Sequence, residues 1–155
     1  MKKILSVNQQ SKAINIALLA ARVGIVALML THGIPKLVML FSGGPVQFPE
    51  VFGMNATLSL SLTVFAEVFC SVFLLLGLGT RLAAIPLAIT MAVAVFLIHA
   101  ADPLSVKEPA LLYMLAFIVL FFAGSGKYSV DYMLQPKLSV GSRREVEDPT
   151  VLMYQ

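Results

Sequence analysis

Residues 56–101 read ATLSLSLTVFAEVFCSVFLLLGLGTRLAAIPLAITMAVAVFLIHAA, and this stretch decides the fold. Two apolar runs, each long enough to cross a bilayer as a helix, are separated by Gly77-Leu78-Gly79 with Arg81 just beyond. Glycine after the last apolar turn is a helix stop, so helices over about Ala56 to Leu78 and about Leu82 to Ala101 form an antiparallel hairpin. One acid, Glu67, stands in the middle of the first run.

Two further apolar segments flank this hairpin. The first runs from about Ile14 to Phe41, longer than a span needs, so a tilt or a kink at Pro35 is expected to absorb the excess. It ends at Ser42-Gly43-Gly44-Pro45. The connector to Asn55 carries Phe48 and Phe52, and reads either as a re-entrant flap or as an aromatic anchor at the headgroups. Asp102-Pro103 closes the third helix, and Glu108-Pro109 is expected to open the fourth, which continues to about Ala123. That leaves a last span close to the lower length limit.

The chain is 59% hydrophobic and 12% charged over 155 residues, with a mean hydropathy of +0.91. This is the composition of an integral membrane protein, and the expected fold is all-α, a four-transmembrane-helix bundle. The formal net charge of +3 is no nucleic-acid footprint, because the basic residues flank apolar segments as topology signals. Cys70 is the single cysteine, which excludes an internal disulfide or a C-x-x-C redox pair. No cleavable signal peptide is evident, so the first apolar segment reads as a retained span.

Lys2, Lys3, Lys12, Arg81, Lys127, Lys137, Arg143 and Arg144 fall on one side of such a bundle, against Lys107 and Lys36 on the other. The positive-inside rule therefore gives both termini inside, with a cytoplasmic segment 1–13, a membrane domain 14–131 and a weakly ordered polar tail 132–155. The expected location is a bacterial cytoplasmic membrane, with the bilayer and a partner protein or second copy as neighbours and no nucleic acid.

Ionisable residues inside the spans or at their edges carry the functional argument, since a charge in hydrocarbon costs several kcal/mol and normally faces a bundle interior. Helical rise puts Glu67 near the midplane, Arg22 in the inner half, and His32, Lys36, His99, Asp102, Lys107 and Glu108 toward the outer leaflet. Arg22, His32 and Lys36 share one face of the first helix. Arg22 reads either as an ion-pair partner of Glu67 or as a ligand for an anionic or carbonyl group. Lys36 either snorkels outward or tunes a site, and Glu108 is either a first-turn acid or part of the outer mouth. His32, His99, Glu67 and Glu108 offer imidazole and carboxylate for a metal, but no metal motif connects them, so no metal site is assigned.

These residues, in order, resemble the DoxX family of small four-helix bacterial membrane proteins. The resemblance spans about Ala20 to Asp131. It rests on Arg22, His32-Gly33 and Lys36, then Glu67, the turn 76–84 (LGLGTRLAA), His99, Glu108, and finally 124–131 (GSGKYSVD). It implies membership of a group that includes subunits of thiosulfate:quinone oxidoreductases and proteins linked to quinone or thiol stress, alongside members with no assigned reaction.

Two functions follow as expectations. In the first, the chain is the membrane subunit of a quinone-linked redox system. Glu67 and His99 are its proton-transferring candidates, and Arg22, His32, Lys36 and Glu108 its ligand-binding candidates, with quinone preferred over haem as the bound group. In the second, the polar set only holds the fold of a non-catalytic scaffold or assembly factor.

Overall fold

A computed structural model describes residues 11–134. The expected polar tail beyond Pro136 and the basic residues Lys2 and Lys3 lie outside the described residues. Four helices long and apolar enough to span a membrane are present among them: α1 (Lys12–Phe41), α2 (Ala56–Leu76), α3 (Thr80–Ile98) and α4 (Leu104–Ala123). Each packs chiefly on its neighbour in sequence, and the seam that closes the ring, between α1 and α4, is the sparsest.

All four helices are apolar around their whole circumference, so hydrophobicity does not decide which face turns inward. Small and polar residues do. Arg22, Glu67, Asn15, Ser59, Ser71 and Thr80 are buried beside Met29, Leu74, Leu87 and Phe117, whereas Leu28, Phe65, Ile89, Leu112 and Phe122 face outward. A lipid-facing leucine loses nothing in hydrocarbon, while an unpaired polar group there is penalised, which inverts the soluble pattern.

Gly33 sets the height of α1 against α2. A Cβ there would lie 2.9 Å from Val68 Cγ2 and 3.1 Å from Glu67 Cβ, so the backbones touch at this level. Gly33 and its neighbour His32 are therefore level with Glu67, about 14 Å above the inner end of α2. His32 sits near mid-span instead of in the outer leaflet, as its distance along α1 alone had suggested. The reason is that α1 slides inward: its first turns, from Lys12, extend past α2 on the inner side.

The fourth helix also departs from expectation. It begins at Leu104, directly after the extended Pro103, and Pro109 lies inside it. Pro109 removes one ladder bond, to the Ser105 carbonyl, and the helix continues through it as transmembrane helices tolerate, so this span is 20 residues long, a comfortable crossing. Glu108 is thus not a first-turn acid; it is an exposed residue of the second turn.

The turn between α2 and α3 is anchored by Asp131, beyond α4. Gly77 takes a left-handed conformation, φ +68°, as the stop for α2. Its carbonyl accepts from the Asp131 amide at 3.0 Å, and the Asp131 carboxylate accepts from the amides of Gly79 at 2.8 Å and Thr80 at 3.3 Å. A carboxylate here satisfies orphan donors at the start of α3, as a cap does. Asp131→Ala is expected to destabilise the protein by about 1–2 kcal/mol, the loss of such a cap. Denaturant unfolding in bicelles checks it, with Asp131→Asn retaining part of the loss.

Candidate functional site

A cleft of about 280 Å³ lies in the half of the bundle that faces the α3–α4 loop, the outer side by the charge rule. Met29, His32 and Lys36 of α1, Glu67 of α2, Met91, Ala94 and His99 from α3 and its end, and Val106, Pro109, Ala110 and Tyr113 of α4 line it. It extends from mid-span, where Met91, Glu67 and Tyr113 stand, to the outer end at His99 and Val106. The polar groups come from all four helical segments, and the α4 contribution is Tyr113 in place of the expected Glu108.

Lys36 Nζ donates to both carboxylate oxygens of Glu67, at 2.5 and 2.6 Å. The side chain of Glu67 is 2% exposed and that of Lys36 28%. The lysine stem thus runs from the cleft wall down to a carboxylate buried at mid-span, the reverse of snorkelling outward. The close approach at Gly33 brings the two helices near enough for this pair.

Glu67 also sits in a π-helical turn, Phe65–Cys70. A second π segment, Ala94–Ile98, ends at His99. Each inserts a residue into the helical period and re-aims the side chains beyond it, and such turns recur at functional sites. Here the two contribute Glu67 on one side and Ala94 and His99 on the other to the lining of the cleft.

His99 Nδ1 and Asp102 Oδ2 are 2.7 Å apart, and both side chains are more than a third exposed. The hydrogen bond to Asp102 orients the imidazole and leaves its other nitrogen, Nε2, free for a cleft ligand. Lys107 Nζ donates to the carbonyl of Ala100 at 2.7 Å, which ties down the same loop. On the other side, His32 meets Tyr113 edge to face, ring centroids 5.8 Å apart, and Tyr113 lies within electrostatic reach of Glu67.

Two sequence candidates lie elsewhere. Glu108 does not line the cleft. Arg22 does not pair with Glu67: it is fully buried at the inner end and donates through Nη2 to the carbonyl of Tyr128, with Asp131 as its neighbouring charge. Arg22 falls within an arc of about 80° of His32 and Lys36 on α1, but about 15 Å of helical rise separates it from His32. Around it, Asn15 Oδ1 accepts from the Lys127 amide at 2.8 Å and Ser129 Oγ donates to the Gly126 carbonyl at 2.6 Å. The 124–131 motif folds over the inner ends of α1 and α2 as a structural lock.

Tyr113, which lines the cleft, and Asp102, which bonds the cleft residue His99, are the polar groups to which the sequence assigned no role at the site. Tyr113 reads in sequence as one aromatic in an apolar run; its signal was a hydroxyl at the depth of Glu67 in a helix with no other mid-span polar group. Among the described residues, no group of three His, Cys, Asp or Glu side chains is placed to hold a metal ion.

A family model described as DoxX matches residues 17–100. The chain is 31% identical over 129 residues to an uncharacterized membrane protein of Mycobacterium tuberculosis, an alignment covering 74% of this chain and 79% of that protein. It is 39% identical over 72 residues to an uncharacterized protein of Haemophilus influenzae, covering 42% of this chain and 54% of that one. No solved structure matches it. With four spans in one bundle and a family match over more than half its length, this chain is a multi-pass integral membrane protein that belongs to the DoxX family.

Proposed function

We propose that the chain is the membrane subunit of a quinone-linked redox system in a bacterial cytoplasmic membrane, and that its cleft receives the quinone head group. One observation carries this reading. His32, Lys36, Glu67, His99 and Tyr113 converge from four helical segments on a cleft whose other walls are apolar, the composition of a site for a ring with polar substituents. Its volume of about 280 Å³ lies just below the range of sites for drug-sized ligands, and suits a single head group better than a macrocycle such as haem.

A bound quinone supplies two-electron, two-proton chemistry, with electrons exchanged through a partner protein. The chain's own side chains supply the rest. Lys36, the Tyr113 hydroxyl and an imidazole N–H are the donors for carbonyl oxygens. Glu67 and the oriented imidazole of His99 are the groups that hold or release protons. His99 does so at the water-facing end, through Asp102. Arg22 is left to the inner lock.

The test is an absorption spectrum and mass spectrometry of small molecules extracted from protein purified in mild detergent. A stoichiometric quinone is expected in the wild type and is lost in Glu67→Gln and His99→Ala at unchanged protein yield. The inner lock gives the second reading its support, since Arg22 and Asp131 there tie helix ends to the 124–131 motif. Ligand-free protein that carries a full complement of a partner would favour the non-catalytic assembly factor.

A further inference from the structure

We infer that the cleft opens sideways into the bilayer between α1 and α4, at His32, so that its occupant is an amphiphile drawn from the lipid phase, with a hydrogen-bonding head and an apolar tail that stays in the opening. This rests on the reading of the cleft as a ligand site. It concerns the route of entry and the tail, which the lining residues do not specify.

Depth is the first argument. Gly33 packs on Glu67, so His32 is near mid-span, yet its side chain is exposed as well as lining the cleft. An exposed group at that depth faces hydrocarbon, so the cleft wall is breached toward lipid at the level of its polar floor. A histidine there is costly unless it serves a site.

Packing is the second argument. The α1–α4 seam is the sparsest in the ring, and the edge-on contact of His32 with Tyr113 spans it. By contrast the aqueous end is tied by the His99–Asp102 contact and by Lys107 on the Ala100 carbonyl. The loop end is latched by polar bonds, while the side is bridged only by one edge-to-face ring contact, which can rotate apart. Leu28, one turn below His32, and Leu112, beside Tyr113, are both exposed and continue the opening as apolar surface.

The chain contains no tryptophan, which makes the test clean. Single-tryptophan variants Tyr113→Trp and His32→Trp report from inside the cleft and from its rim. Phe117→Trp, at a position 0% exposed, and Phe122→Trp, at a position 72% exposed, set the closed and lipid-facing limits. Reconstituted with lipids brominated at mid-chain, Tyr113→Trp and His32→Trp are expected to be quenched to more than half the extent of Phe122→Trp, and only weakly by aqueous iodide.

Quenching of both reporters no stronger than that of Phe117→Trp, or quenching by iodide in place of bromolipid, overturns the opening. His32→Trp decides alone if Tyr113→Trp does not fold. A decyl-tailed benzoquinone added to vesicles of Leu112→Trp, an exposed position beside Tyr113 that leaves the cleft donors intact, separates the two claims. Bromolipid quenching without any effect of this probe keeps the lateral opening and removes the quinone reading.

Discussion

Lys36→Met is expected to cost about 3–5 kcal/mol, because it strands a buried carboxylate without its counter-charge. Both oxygens of Glu67 are held by one ammonium group, and nothing replaces it at mid-span. The opposite change is milder. Glu67→Gln keeps a carbonyl oxygen for Lys36, and the partly exposed ammonium can swing toward the outer interface. Removing both charges together, as Lys36→Met with Glu67→Leu, is expected to restore stability to within about 1 kcal/mol of wild type or above it, since a buried ion pair seldom outperforms packed apolar side chains. Reversible unfolding in bicelles gives all four corners of this cycle. Equal losses for the two single variants, with the double variant additive, would mean that the pair does not form.

Gly77→Ala is the second large effect, and it acts at the other end of the molecule. The residue holds φ +68°, which is unfavourable for alanine by about 1–2 kcal/mol. A Cβ there would also lie 2.0 Å from Arg22 Nη1 and 2.5 Å from Ser129 Cβ. The clash pushes the guanidinium off the Tyr128 carbonyl and opens the lock over the inner ends of α1 and α2. With overpacking of about 1–3 kcal/mol added, the loss is expected to reach about 2–5 kcal/mol, read as a fall in folded yield and in unfolding free energy. Gly24→Ala is the control, since its Cβ meets nothing within 4 Å, and a helical alanine there gains up to about 1 kcal/mol.

Hydropathy made the four spans readable, because length and apolar content alone define a membrane helix. Azimuth was readable in outline: helical phase puts Arg22, His32 and Lys36 within an arc of about 80° on α1, across which Arg22 is buried and His32 exposed. What sequence could not supply was relative height. Whether Arg22 or Lys36 meets Glu67 depends on how far α1 slides along α2, and that is fixed by the Gly33 contact and by the Asn15 and Arg22 ties to the inner motif. The start of α4 was misplaced because Glu108-Pro109 looks like an N-terminus, although Pro103 already provides one. The π turns at Glu67 and before His99 leave no signature in the apolar pattern, yet they aim both residues. Tyr113 was overlooked because its neighbours are hydrophobic, and its value comes from depth.

Isotope-edited infrared spectroscopy of Glu67 in nanodiscs, wild type minus Glu67→Gln at neutral pH, addresses the paired carboxylate at the floor of the cleft. The predicted result is an ionised carboxylate band that shifts when a decyl-tailed benzoquinone is added. A protonated carboxyl band indifferent to that probe would contradict both the ion pair and the site built on it.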